Sequence, residues 1–170
     1  MIFVTVGTHE QQFDRLVSSI DEMKRSGMIG EEVFIQTGYC NYQPVYCGWK
    51  KMLSYEEIEH YMQSADIIIT HGGPASFMSV LQHDKIPIVV PRQKRFGEHV
   101  NDHQMEFVES VHRRYGNIIP VYDIHKLGEE ILYYERESKY MGQKLLSNNK
   151  NFINRFSEIV REIVPERRAV

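Results

Sequence analysis

Short aliphatic runs alternate along the chain with longer stretches whose apolar residues recur three or four apart. Residues 2–6 are apolar or β-branched and stop at Gly7, a pattern that predicts a buried strand. Over residues 13–25, Phe13, Leu16, Val17, Ile20 and Met23 keep helical spacing, and Gly27 and Gly30 then break the chain. Residues 32–36 read as a second strand ending at Gly38, and residues 45–48 as a third, shorter one. Ser54 followed by Glu57 is a capping-box pattern, so a helix begins near Tyr55 and buries Ile58, Tyr61, Met62 and Ala65 along one face. Residues 66–70 carry Ile67, Ile68 and Ile69 in a row, which suits a parallel strand buried on both faces. A helix over 75–83, a strand over 86–90 closed by Pro91, a helix over 100–115 and a strand over 118–121 follow. Helices fill 125–137 and the C-terminal segment 138–164, where Leu145, Phe152, Phe156, Ile159 and Ile163 recur at helical spacing. Strand, helix, strand, repeated along the chain, predicts an α/β, Rossmann-like parallel sheet with helices on both faces, in a single domain over 1–170.

Composition changes this picture little. A chain of 170 residues with 42% hydrophobic and 25% charged residues is long enough for one sizeable core. The net charge of -3 and the shortness of the basic stretch Arg92, Lys94 and Arg95 argue against a nucleic-acid partner. Cys40 and Cys47 flank Pro44 between two predicted strands and read as reduced thiols, with a disulfide as the alternative. The first residues lack the basic and apolar segments of a secretory signal, and no apolar run approaches the ~20 residues of a membrane span. A cytoplasmic protein is expected, with any membrane contact made through a partner or a surface patch.

Ligands of such a sheet bind beyond the carboxyl ends of the strands. The loop after the first strand is Gly7-Thr8-His9-Glu10, where a glycine permits close backbone approach and helix-opening amides can meet a phosphate. It reads equally as a turn that needs a flexible residue. After the isoleucine strand comes His71-Gly72-Gly73-Pro74-Ala75-Ser76. Paired glycines before a proline-initiated helix favour a diphosphate, although neither the Walker ending nor the dinucleotide spacing is present. The polar stretch 92–104 holds Asn101, His103 and Gln104, which are suited to sugar hydroxyls, and basic residues able to steer a diphosphate. His9, His71, His99 and His103 fall at the same edge, but no metal-binding helical pair with a carboxylate cluster accompanies them, so no metal is expected. His83, His112 and His125 read as surface residues.

These segments resemble a known family. Met1-Ile-Phe-Val-Thr-Val-Gly-Thr8 with Phe13-Asp14-Arg15-Leu16, then 71–77, 86–92 and 98–104, are similar in content and order to the short MurG-like glycosyltransferase subunits, above all the PssE-type subunit of bacterial capsule and exopolysaccharide synthesis. The resemblance implies the C-terminal domain of a GT-B glycosyltransferase that binds a UDP-sugar with neither metal nor other cofactor. It also implies a membrane-associated PssD-type partner that holds a lipid-linked saccharide acceptor and recruits the chain to the inner face of the plasma membrane. Carried onto this sequence, Gly7 and Thr8 line the diphosphate loop, and His71, Gly72, Gly73 and Ser76 sit at the phosphates. His103 and Gln104 contact the donor sugar, and Met52 and Leu53 border the base. The family's ribose-binding glutamate, three positions after the motif serine, is Ser79 here, so Glu98 or Asn101 would have to take its place.

The implied reaction is an inverting transfer from a UDP-sugar, with main-chain amides stabilising the departing diphosphate. The general base comes from the partner, or from His9 or Glu10. Two other readings stay open: a non-catalytic subunit that enhances or positions a partner enzyme, and a free-standing nucleotide-sugar enzyme such as an epimerase. The C-terminal helix packs on its own domain or docks the partner.

Overall fold

Alternation along the strands decides which helices cover which face. In the computed structural model, which describes residues 1–141, six parallel strands form one sheet: β1 (Ile2–Thr5), β2 (Val33–Gln36), β3 (Gly48–Lys50), β4 (Ile67–His71), β5 (Ile88–Val90) and β6 (Ile119–Pro120). Side chains of successive strand residues point to opposite faces. Ile2, Val4, Ile69, Ile88 and Val90 therefore enter one core with Leu16, Val17 and Ile20 of helix α1 (Asp14–Arg25) and Leu127 and Ile131 of α5 (Leu127–Leu132), numbered in chain order. Phe3 and Ile68 enter another with Met62 of α2 (Tyr55–Ser64) and Val80 of α3 (Pro74–Gln82). Val89 joins Phe77 and the Val108 and Val111 pair of α4 (His103–Tyr115). The result is a Rossmann-like three-layer domain.

The strand order is β3-β2-β1-β4-β5-β6. The chain winds outward from β1 in one direction, then returns to add β4 on the other side. The order reverses between β1 and β4, and the crevice that opens there beyond the strand ends is where such sheets bind ligands. Thr5 lies level with both Gln36 and Thr70, so a polar row crosses three strands directly beneath that crevice.

Helix ends follow the sequence signals. Ser54 accepts the Glu57 N–H at 3.2 Å and the Glu57 carboxylate accepts the Ser54 N–H at 2.8 Å, completing the capping box. At the other end of α2, the Lys85 ammonium donates to the carbonyls of Met62, Gln63 and Ala65 at 2.6–2.7 Å, closing groups the helix leaves open.

Three elements differ from the sequence pattern by more than two residues. The third strand starts at Gly48, where the expected one ended. The N–H groups of Val45, Tyr46 and Cys47 donate to the buried Asp21 carboxylate at 2.8–3.0 Å and are not available to a ladder. Helix α4 starts at His103, because Asn101 and Asp102 turn their side-chain oxygens to the N–H groups of His103 and Lys94. The 125–137 helix divides into a 3-10 turn (Ile124–Lys126), α5 and α6 (Tyr134–Tyr140). The break at Tyr133 brings Tyr134 inward, where its hydroxyl donates to the Ile86 carbonyl at 2.8 Å. The C-terminal apolar pattern from Leu145 to Ile163 lies outside the described residues. Among the described residues no helix is long and apolar enough to cross a membrane.

Both cysteines are free thiols. Cys40 Sγ accepts the Phe13 N–H at 3.3 Å, and burial pushes the Cys40 thiol up to about 11 and the Cys47 thiol up to about 12.

Candidate functional site

Gly7, two residues beyond β1, takes φ +74°, a left-handed conformation that favours glycine. Opposite it, at the end of β4, the buried His71 ring fills the gap between the two glycine turns. A Cβ on Gly7 would lie 2.5 Å from His71 Cε1, and one on Gly73 would lie 2.3 Å from Nε2. Both positions are therefore glycine because the imidazole occupies the space a side chain would need. Gly72 is confined from the other side, where a Cβ would stand 3.0 Å from Gln104 Cβ and from Val108 Cγ2.

Burial, with a further contribution from the positive charge of Arg92, pushes His71 down to about 4, so the ring is neutral at pH 7. Its Nδ1 is buried without a hydrogen-bond partner among the described residues. Gly73 caps α3 without a side-chain bond and Pro74, at the first helical position, has no N–H; the Ser76 N–H donates to the Gly73 carbonyl at 3.1 Å, and no side chain caps the amides that open α3.

Two cavities flank this turn. The first, about 680 Å³, has Gly7, Thr8 and His9 on one side, His71, Ser76 and Ser79 on another, and an apolar wall of Tyr55, Ile58 and Met62. None of the residues lining it is acidic. The second, about 570 Å³, lies between Gly72-Gly73-Pro74 and His99, His103 and Gln104, with Glu106 and Phe107 completing it. His9 of the first cavity and His99 of the second stack with ring centroids 5.0 Å apart, so the two rings stand where the cavities adjoin.

Nine of the sequence-selected residues thus gather here: Gly7, Thr8, His9, His71 and Ser76 in the first cavity, and Gly72, Gly73, His103 and Gln104 in the second. Others do not. Glu10 is exposed and lines neither cavity. Met52 and Leu53 lie before α2, Leu53 packing against the Phe3 and Met62 core, and Tyr55, Ile58 and Met62 form the wall instead. Asn101 spends its side-chain oxygen on the His103 N–H at 3.2 Å. Glu98 is fully buried, where it binds Arg15 at 2.8 and 2.9 Å and the Gln93 N–H at 2.9 Å, leaving it no reach toward a ribose. Arg92 is equally inaccessible: its guanidinium donates to the carbonyls of Val6, Gln11, Gln12 and Glu98 at 2.8–3.1 Å and lies 4.8 Å over the Phe13 ring. Held there, it ties the loop after β1 to the segment after β5.

Sequence reading missed Gln36, Tyr55, Ile58 and Met62 as lining residues; it placed His99 at the ligand edge and Ser79 at the ribose position without selecting either as a binding residue. Ser79 was legible as the position one turn beyond Ser76 on the same helix face. Gln36 was legible only from strand register, which places it beside Thr5, whose hydroxyl donates to it at 2.6 Å. His99 and His103 are four apart, but His99 precedes α4, so they form no helical pair. Among the described residues no cluster of three or more His, Cys, Asp or Glu side chains is placed to hold a metal.

No curated protein sequence matches the chain. The crystal structure of the glycosyltransferase SnogD from Streptomyces nogalater is similar at 15% identity and a TM-score of 0.42, over 90% of this chain and 43% of that one. The present chain thus spans less than half the length of that enzyme. The description of the glycosyltransferase family 28 C-terminal domain matches residues 1–163, and the chain belongs to that family.

Proposed function

We propose that this chain is the donor-binding part of an inverting glycosyltransferase that uses a UDP-sugar. One observation carries the proposal. At the reversal between β1 and β4, two glycine turns face each other across a neutral histidine, and the N-terminus of a nine-residue helix, with no side-chain cap, opens between two cavities. Main-chain N–H groups and the helix dipole favour a diphosphate there without a metal. The first cavity has an apolar wall for a nucleoside, serine hydroxyls on α3, and no carboxylate to repel the phosphates. The second offers His103 and the Gln104 amide, groups that suit sugar hydroxyls.

In the proposed reaction an acceptor hydroxyl attacks the anomeric carbon from the face opposite the diphosphate. The new carbon–oxygen bond forms as the bond to the phosphate oxygen breaks, and UDP leaves with the electron pair. The amides near Gly7 and at the start of α3 stabilise its charge. The hydroxyl proton passes to a general base. His9 is the candidate within this chain, since it lines the first cavity beside the junction, whereas Glu10 lines neither. We further propose that a membrane-associated PssD-type partner holds a lipid-linked saccharide and supplies the remaining groups, including the base if His9 does not serve. Capsule or exopolysaccharide assembly is the setting that fits the sequence resemblance.

Calorimetric titration of the full chain with UDP, uridine and inorganic phosphate tests the nucleotide site. UDP should bind and uridine should bind far more weakly; no heat with UDP at millimolar concentration would overturn the proposal. Turnover of UDP-sugars by the chain alone and with its partner then separates a catalytic from a positioning role.

A further inference from the structure

Resting on the nucleotide reading above, we propose that His99 is a donor-binding residue that gives a hydrogen bond from its Nε2–H to the group carried by the nucleoside diphosphate in the second cavity. The Asn101 main-chain N–H points at His99 Nδ1 at 3.3 Å. A backbone N–H can only donate, so Nδ1 accepts and the neutral ring carries its proton on Nε2. That leaves one donor on a ring that lines the second cavity.

The ring is held on a firm support. Glu98, its predecessor, is buried, with its carboxylate on Arg15 and the Gln93 N–H and its carbonyl on Arg92. One face of His99 stacks on His9. Its neighbours in the cavity are partly committed: Gln104 Oε1 accepts the Arg92 N–H at 3.1 Å, and His103 Nδ1 lies 3.6 Å from the Glu106 carboxylate. His99 thus offers a donor at the junction of the cavities, held by its stack and its Nδ1 bond, where the bond between diphosphate and sugar must fall if the nucleoside occupies the first.

Two variants share the loss of the Nε2–H and otherwise differ. His99→Phe keeps a ring to stack on His9 but abandons the Asn101 N–H. His99→Asn can keep that turn bond through its side-chain oxygen but loses the stack and the reach. Titrating full-length wild type and both variants with UDP, UDP-glucose, UDP-galactose, UDP-glucuronic acid and UDP-N-acetylglucosamine separates sugar from nucleotide. Both variants should keep UDP affinity within about twofold and lose about three- to tenfold toward the preferred UDP-sugar, the size of one neutral hydrogen bond. Unchanged UDP-sugar binding in either variant, or a wild type that binds UDP as tightly as every UDP-sugar, would overturn the assignment while leaving the nucleotide site intact. A wild type that binds no UDP would remove both.

Discussion

Gly73→Ala isolates the role of His71 in fixing the geometry of the glycine turn before α3. Gly73 has φ −74° and ψ 128°, values open to any residue, so alanine costs nothing in backbone strain. Where the backbone is compatible, Gly→Ala stabilises by about 0.4–1 kcal/mol through the unfolded chain. Against this, the new methyl would lie 2.3 Å from His71 Nε2 and 2.9 Å from Cδ2. On its far side the ring already packs against the Gly7 turn, which limits its retreat. Overpacking of this kind costs about 1–3 kcal/mol, so overpacking wins and the variant loses on the order of 1–2 kcal/mol. With His71→Ala the obstacle is gone, and Gly73→Ala in that background should be neutral or slightly stabilising. Urea denaturation of the wild type, both single variants and the double variant, followed by circular dichroism, gives the coupling directly. A coupling energy above about 1 kcal/mol is expected. Equal destabilisation by Gly73→Ala with and without the imidazole would refute the reasoning.

Other consequences follow from the same contacts. Asp21→Ala strands the N–H groups of Val45, Tyr46 and Cys47 and the Tyr42 hydroxyl, and should destabilise by about 2–4 kcal/mol in the same denaturation assay. Although burial opposes it, the set of hydrogen bonds to Asp21 holds its carboxyl below the ordinary 3.8, so its contribution is present above pH 4 and is lost as pH falls through the lowered value. His71 acts over a higher range: its folded value near 4 lies below the ordinary 6.5, so acidification from 6.5 toward 4 protonates the unfolded chain first and removes stability, on the order of 3 kcal/mol, which His71→Asn should abolish in a pH series of melts. Arg92→Met should cost about 3 kcal/mol in thermal or urea denaturation, and it should weaken UDP binding through the freed loop after β1 rather than through lost charge at the ligand. Both thiols, pushed far above neutral, should react with a disulfide reagent at pH 7.5 only slowly in the native chain and rapidly in denaturant.

Much of the sheet was legible because its signals are local. Ile67, Ile68 and Ile69 announce a doubly covered strand, and Ser54 with Glu57 announces the start of α2, since neither depends on distant partners. The third strand was misplaced because its boundary is set by Asp21, a residue from α1 that collects amides 24 to 26 positions away. Nothing in the periodicity of either segment encodes that contact. The glycine turns were readable for the same local reason, and the strand-end rule assembled them. What single-sequence reading confused was charge with access. Glu98 and Arg92 look like ligand-facing residues in a polar stretch, yet both are fully buried and serve the loops around the site. His99 was placed at the ligand edge and Ser79 at the ribose position, but neither was selected for binding, because the cavity each faces is fixed only when α3, α4 and the loop after β1 meet.

A crystal of the full chain grown with UDP tests most directly whether main-chain amides at the crevice between β1 and β4 hold a nucleoside diphosphate. The diphosphate should lie over Gly7 and the first residues of α3, with uracil and ribose toward Tyr55, Ile58 and Ser79. UDP bound elsewhere, or that crevice vacant at saturating UDP, would contradict that placement.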